Sequence, residues 1–348
     1  MSHELTPRSP AAPLPGWPGE RSPYHAGEMA VQERVGARER AERAGRRIIR
    51  DFMPDQHREL FAKLPFLLAG TLDAQRRPWA SILVGRPGFI SSPEPRTLRV
   101  GARPGAGDPA GASLATGAPV GLLGIQLETR RRNRMNGTIV EAGEGGFVVR
   151  VGQSFGNCAQ YIQAREPVFV RDPAAAAATS RAALAEGPVL SAAAAALVGR
   201  ADTFFIATAA PAARGGDAVE GADVSHRGGK PGFVRVAEEG GRTVLTSPDF
   251  PGNSAFNTFG NLALDRRAGV LFIDFASGDL LSLTGEAEVV WDGPELAAFA
   301  GAARLLRFHV TEGVRLEDAL PLRWSAPEAA REVAATGSWE EVAREMSR

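Results

Sequence analysis

The chain has 348 residues, 44% of them hydrophobic and 23% charged, which is room for two ordinary globular domains. Its 40 basic and 40 acidic side chains cancel, so no global field gathers nucleic acid or an anionic membrane, and no apolar run reaches the roughly 18 residues of a membrane span. The single cysteine, Cys158, excludes an intrachain disulfide and a cysteine zinc site, and the opening residues place Pro, Arg and Glu where a secretory signal needs apolar ones; a cytoplasmic location is expected.

Residues 1–27, rich in Pro, Gly and Ser, read as a mobile arm. Mixed charges on good helix formers predict a surface helix over Met29–Arg50, which completes an N-terminal region over 1–50. A second helix is expected over Asp55–Lys63, closed by Pro65. Strand signals then dominate a first unit over 51–172, where Phe147, Val149 and Val151 alternate as a half-buried strand does. An Ala-rich linker over 173–200 follows, either poorly ordered or packed over Pro173–Pro188, with a helix around Ser191–Val198. A second strand-rich unit covers 201–325; in it Leu281, Leu283, Ala287 and Val289 alternate with Ser282, Thr284, Glu286 and Glu288. A helix after Pro294, a strand around Arg304–Val310 and a charged terminal helix in 326–348 complete the chain.

The two strand-rich units match each other. Phe66-Leu67-Leu68-Ala69 answers to Phe204-Phe205-Ile206-Ala207 at an offset of 138, and Gly85-Arg86-Pro87-Gly88-Phe89 to Gly229-Lys230-Pro231-Gly232-Phe233 at 144. Arg96-Thr97-Leu98 answers to Arg242-Thr243-Val244 at 146; Gly121-Leu122-Leu123 and Gly137 answer to Gly269-Val270-Leu271 and Gly285 at 148. The offset never falls, as expected when loops lengthen around a fixed core. Antiparallel strands without βαβ alternation predict a mainly β fold with flanking helices, two small barrels in tandem.

Two stretches of the second unit suit an anionic ligand. Ser225-His226-Arg227-Gly228-Gly229-Lys230-Pro231-Gly232-Phe233-Val234-Arg235 combines three cations with glycines that let a backbone approach a flat group; it also has the glycines of an ordinary hairpin. Ser247-Pro248-Asp249-Phe250-Pro251-Gly252-Asn253-Ser254-Ala255-Phe256-Asn257-Thr258 leads from a strand into a short helix, with Asn253 or Ser254 as N-cap. Free N–H groups of the first turn would then face an anion, and Asn257 and Thr258 add donors; simple capping is the bland alternative. The corresponding loop of the first unit, Arg103–Ser113, is shorter and carries Asp108, so the phosphate is expected in the second unit.

Gly152-Gln153-Ser154-Phe155-Gly156 fits the nucleophile-elbow pattern of hydrolases, but only His226 and His309 follow it and the repeated β-units contradict the parallel sheet that elbow tops. Ser154 reads instead as the cap of a helix running through Tyr161. His309 reads as a solvated residue on a strand's polar side. The glycines at 105 and 107 lack dinucleotide spacing, and the five histidines lack metal-ligand spacing.

From Ser22 to Trp324 the chain resembles the pyridoxamine 5'-phosphate oxidase-like superfamily of FMN-binding split barrels, and more closely its long two-unit bacterial members. The resemblance rests on Ser22-Pro23-Tyr24-His25 with Gly27-Glu28, Arg130-Arg131-Arg132-Asn133-Arg134-Met135-Asn136-Gly137, Ser154-Phe155-Gly156-Asn157-Cys158 with Tyr161-Ile162, His226–Arg235, Pro248–Asn261 and Pro321-Leu322-Arg323-Trp324. It implies an FMN between two barrels, paired within the chain or in a homodimer. By position it implies Arg227, Lys230, Arg235, Asn253, Ser254, Asn257 and Thr258 on the phosphate, and Gly232, Phe233 and Val234 along the ring. Arg130–Arg134 either faces the cofactor or an anionic substrate, or forms a solvated basic turn. Asn253-Ser254-Ala255 stands where the true oxidase carries a basic segment, which argues against pyridoxamine phosphate oxidation. The resemblance implies an oxidoreductase acting on a small-molecule substrate, with electrons from NADPH or NADH or from a separate reductase, since the cysteines of an iron–sulfur cluster are lacking. A flavin carrier, and a split barrel holding haem or a deazaflavin, are the alternatives.

Overall fold

The computed structural model describes residues 14–174 and 182–348. Three helices come first: α1 (Ala26–Arg34), α2 (Arg38–Ile48) and α3 (Asp55–Lys63). The helix expected over Met29–Arg50 is thus two, because Gly36 adopts φ +66°, a left-handed turn that glycine takes without strain. The expected arm is docked over its described part. Trp17 donates its backbone N–H to Arg46 O at 2.8 Å, and Tyr24 packs with Ala41, Ile49 and Phe155. Residues 1–13, and most of the Ala-rich run after Pro173, lie outside the described residues.

Seven strands follow: β1 (Phe66–Leu72), β2 (Pro78–Val84), β3 (Ile90–Ser91), β4 (Thr97–Val100), β5 (Pro119–Gln126), β6 (Arg131–Gly143) and β7 (Gly146–Gly156). They form one antiparallel sheet in the order β2-β1-β5-β6-β7-β4-β3. Short strands β8 (Pro167–Phe169) and β9 (Leu184–Glu186) lead to helix α4 (Ala192–Arg200), capped by Ser191. Then come β10 (Thr203–Ala209), β11 (Ala222–Gly228), β12 (Arg235–Glu239), β13 (Arg242–Asp249), helix α5 (Asn257–Leu264), β14 (Arg267–Ile273), β15 (Leu280–Val290), helix α6 (Pro294–Ala298) and β16 (Arg304–Leu316). Their order is β11-β10-β14-β15-β16-β13-β12, the same permutation as in the first sheet. Strand β17 (Leu322–Trp324) pairs with β8, and helices α7 (Arg331–Ala334) and α8 (Trp339–Met346) end the chain. Among the described residues no helix is long and apolar enough to cross a membrane.

The pairing registers correct two of the five sequence matches. Gly70 faces Gly121 while Ala207 faces Gly269, so β10 follows β1 at an offset of 137, not 138. Leu98 faces Val149 and Leu245 faces Phe308, which gives 147 rather than 146 for β13 on β4. Because side chains alternate, a one-residue slip exchanges the two faces of a strand. In the corrected register Leu67 and Phe204 each enter their own sheet's core, and Leu68 and Phe205 both face the other sheet.

The repeated glycines have physical reasons. Gly88 and Gly232 have φ of +98° and +81° in equivalent turns, and a Cβ on Gly85 or Gly229 would strike the ring of Phe89 or Phe233. Gly137 and Gly285 each sit at a register shift between the longest strands. Gly121 and Gly269 mark where the sheets touch: a Cβ would lie 2.5 Å from Ala222 O at the first and 2.2 Å from Pro78 O at the second. Around this contact Leu68, Ile82, Leu123, Phe205, Val224 and Leu271 share one buried cluster between the sheets.

Since the clash at Gly121 is with backbone, the sheets must separate to admit a methyl group. Gly121→Ala is expected to destabilise the protein by about 3 kcal/mol. Gly105→Ala, whose added Cβ meets nothing within 4 Å, is expected to stay within about 0.5 kcal/mol. Urea unfolding of both variants checks the contrast, and equal midpoints would refute the close approach.

Candidate functional site

At one end of the inter-sheet contact a cleft of about 380 Å³ is lined from three directions. The first sheet brings Leu123, Arg132 and Arg134, with Asn157–Tyr161 beyond it. Ser225–Gly228 of β11, 248–254 with 256–259, and Arg304 come from the second, and Val35, Ala37 and Arg40, in and after the turn between α1 and α2, line the third side. Five of these residues are arginines (Arg40, Arg132, Arg134, Arg227 and Arg304), and the single carboxylate among them is Asp249.

Arg132 and Arg134 alternate with exposed Arg131 along β6, so the register that pairs β6 with β5 turns them toward the second sheet. Arg134 is buried. It donates from Nη1 to Asp223 Oδ1 at 2.7 Å and from Nη2 to Ser225 Oγ. Asp223 also accepts from Asn136 Nδ2 at 2.6 Å and Asn261 Nδ2 at 3.0 Å. This charge is therefore answered. Ser225 in turn bonds Thr258 at 3.1 Å, which ties the floor of the cleft to α5.

The remaining cations are not answered in the same way. Arg227 and Arg304 share Asp249, but at 3.4 and 3.3 Å, and neither contact is a hydrogen bond. The buried Nε of Arg227 and the Nε and Nη1 of Arg304 have no acceptor among the described residues. Both guanidiniums lie over the Phe259 ring, at 5.4 and 5.3 Å, which holds them in place. Burial lowers the pKa of Arg227, against the pull of Asp249, and raises that of Asp249, against both arginines. The two guanidiniums are short of solvent and of acceptors, a state that an incoming anion relieves.

His226 reads differently. Burial, then Arg132, Arg227 and Arg165, hold its pKa well below the ordinary value, so the ring is neutral. Arg132 Nη1 can only donate, at 3.0 Å to Nδ1, so the proton sits on Nε2, which has no acceptor. Burial also brings Arg132 down to about 10. Opposite lies an aromatic pair, Tyr161 stacked on Phe250 at 5.0 Å and 23°. Gly228 permits it, since a Cβ there would lie 2.1 Å from Tyr161 O.

Of the residues expected at the site, Ser225, His226, Arg227, Asn253, Ser254, Asn257 and Thr258 come together on this cleft. Ser247 is buried beside it on β13, one residue before the lining begins. The others lie elsewhere. Lys230 Nζ donates to Thr336 O at 2.5 Å, and Arg235 pairs with Glu295 at 2.6 Å and lies over Trp339. Phe233 and Val234 are in the core of the second sheet, and Gly232 forms a turn in the left-handed region. The expected cap is also different: α5 starts at Asn257 behind Phe256, which takes φ +63° and makes no side-chain cap, while Asn253 Oδ1 accepts from Ala255 N. Asn257 donates to Glu28, buried on α1, and docks that helix onto α5 where Gly27 meets Gly260. Burial, reinforced by Asp223, raises Glu28 well above the usual carboxylate range.

Sequence reasoning misses Arg40, Asp249, Tyr161 and Arg304 as lining residues, and leaves Arg132 and Arg134 undecided between the cofactor and solvent. Alternation within Arg130–Arg134 is the available signal for those two; nothing in the sequence marks Arg304. Arg130 turns away to Ile162 O and Glu328, and His309 is half-buried beside Glu288.

Ser154 caps no helix. It lies in β7, fully buried, with Oγ 3.0 Å from His57 Nδ1. Burial, then Arg50 and Arg131, lower His57 from 6.5 to about 4. A histidine with a depressed folded pKa stabilises the fold above the unfolded value and loses that contribution as pH falls through the folded one. Between pH 6.5 and about 4, His57 is therefore expected to account for a loss of about 3 kcal/mol. Urea unfolding across that range should show a shallower pH slope for His57→Gln, and an equal slope would remove His57 from the account.

Compared with known proteins, the chain matches no family model and no curated protein. Among solved structures it is similar to the HupZ protein of Group A Streptococcus at 12% identity, over 35% of this chain and 90% of that one, with a TM-score of 0.27. A histidine-to-alanine variant of the same protein gives 11% identity, 36% and 98% coverage, and a TM-score of 0.28.

Proposed function

We propose that the chain is an FMN-binding flavoprotein built of two split barrels, holding its cofactor in the cationic cleft between them. The observation that carries this reading is guanidinium without matching acceptors: apart from Arg134, which Asp223 answers, the cleft sets Arg132, Arg227, Arg304 and the exposed Arg40 around one carboxylate, and buried N–H groups of Arg227 and Arg304 find no acceptor among the described residues. A phosphate monoester supplies both the charge and the acceptor oxygens. Arg227 and Arg304 hold the phosphate, with Ser254 as a hydroxyl donor, and the Tyr161–Phe250 pair offers a face to a flat ring. When bound, the flavin supplies the redox chemistry and the protein orients it, with NADPH, NADH or a separate reductase as electron source.

One cofactor per chain follows from the repeat. In the corrected register His226 and Arg227 correspond to Ile82 and Leu83, Arg132 and Arg134 to Leu280 and Ser282, and Asp249 to Ala102. The related end of the contact thus has uncharged residues where the cleft has these charges. Haem is the poorer fit, because the Nε2 of His226 carries a proton and is closed to iron.

The test is a titration with FMN and with riboflavin, which lacks the phosphate, followed by NADPH without oxygen. FMN should bind at one per chain and at least about 100-fold more tightly than riboflavin. Equal affinity would remove the phosphate assignment, and no binding of either would remove the flavin. Bleaching by NADPH supports an oxidoreductase; a bound flavin that does not bleach indicates a carrier or a reductase partner.

A further inference from the structure

A second cleft, also of about 380 Å³, opens where α4, the end of β14 and β17 meet. Leu197, Ile273, Phe275 and Trp324 give it apolar walls. Two of its lining residues, Arg165 and Trp324, each carry an N–H that is buried without an acceptor among the described residues. Of the five tryptophans, Trp17, Trp79 and Trp339 donate their indole N–H to Arg21 O, Asp73 Oδ2 and Phe233 O, and Trp291 is half-exposed. Trp324 is 8% exposed and its Nε1–H finds no acceptor among the described residues. Arg165 is 6% exposed, and its Nη1 is likewise unpartnered.

Neither side chain is free to turn away. Arg165 Nη2 lies 2.5 Å from Asp202 Oδ2, and its guanidinium sits 4.3 Å over Phe275. Trp324 is wedged edge-on between Phe66 at 5.6 Å and Phe275 at 5.2 Å. An N–H buried without a partner is costly, so two on one cleft point to an acceptor oxygen that belongs there. The charges indicate which kind. Asp202 already neutralises Arg165, and Asp274 pairs with Arg200 at 2.6 Å. A carboxylate would set a third anion against two answered cations, whereas a neutral carbonyl accepts both N–H groups without that repulsion.

We propose that this cleft is a second small-molecule site, separate from the flavin site, for a planar aromatic ring bearing a neutral carbonyl, such as an aryl carboxamide or lactam. The edges of Phe275 and Trp324 grip the ring, and Arg165 and Trp324 donate to its oxygen.

The experiment follows the indole N–H resonances of the full chain, labelled at tryptophan, during titration with benzamide, benzoate and toluene. The Trp324 resonance, assigned by its loss in Trp324→Phe, should move with benzamide and saturate in the millimolar range expected of so small a ligand. Benzoate and toluene should move it at least tenfold less at equal concentration. The benzamide response should be the same with FMN present, and binding to Trp324→Phe should be about tenfold weaker. A Trp324 resonance that benzamide leaves unmoved would overturn the site. One that benzoate or toluene moves equally would overturn the ligand class. If the variant does not fold, a crystal of the wild-type protein soaked in 4-bromobenzamide decides: bromine must appear in this cleft, and its absence there refutes the proposal.

Discussion

Converting Arg227 and Arg304 to glutamine, with Asp249→Asn so that no carboxylate is left buried without its cations, is expected to weaken FMN binding by two to four orders of magnitude. Each charge-assisted hydrogen bond to phosphate is worth about 1.5–3 kcal/mol, and two are removed. Removing the carboxylate with its partners matters. Arginine variants alone would leave Asp249, already pushed up by burial, without either of the cations that oppose that rise. Riboflavin affinity should change by no more than about threefold, because the ring's platform at Tyr161 and Phe250 is untouched. Lys230→Ala is the counter-test. Its ammonium bonds Thr336 O away from the cleft, so FMN affinity should be unchanged. If the Lys230 variant lost FMN and the triple variant kept it, the phosphate would lie elsewhere.

The same lysine shows what was legible in the sequence and what was not. Gly229-Lys230-Pro231-Gly232-Phe233 has a counterpart in Gly85-Arg86-Pro87-Gly88-Phe89, in a unit expected to hold no phosphate. A motif present in both units serves what the units share, and the structure shows matching turns at both places. The glycines and the offset pattern thus marked which strands of the two sheets correspond. Register was harder to read. β1 and β10 are buried on both faces, so Phe66-Leu67-Leu68 and Phe204-Phe205-Ile206 have no polar alternation to fix their alignment. The cleft suffered most from this. Arg132 and Arg134 point inward only because β6 pairs with β5 in one register, and Arg304 joins them only because β16 pairs with β13, bringing it opposite Asp249.

Asp223→Ala is expected to cost about 3–5 kcal/mol, at least as much as the added methyl group of Gly121→Ala. The change removes the acceptor of Arg134, Asn136 and Asn261 together and leaves a guanidinium buried without a counter-charge. The pair also joins the two sheets, Arg134 on β6 of the first and Asp223 on β11 of the second. Replacing both partners, Asp223→Leu with Arg134→Met, should recover most of the loss, since burying two charges is itself expensive. Urea unfolding of the two single variants and the double gives the coupling energy, expected at about 2 kcal/mol or more. A loss below about 1 kcal/mol in Asp223→Ala would mean that the pair is solvated and that the sheets are less tightly joined than the burial of both groups implies. FMN binding in the double variant then separates two roles for the pair. An apolar replacement preserves packing but cannot hold Ser225 against Thr258, because the Nη2 of Arg134 is what bonds Ser225. A double variant that is stable yet binds FMN at least tenfold less tightly would show that the buried charge positions the cleft. Unchanged affinity would confine the pair to joining the sheets.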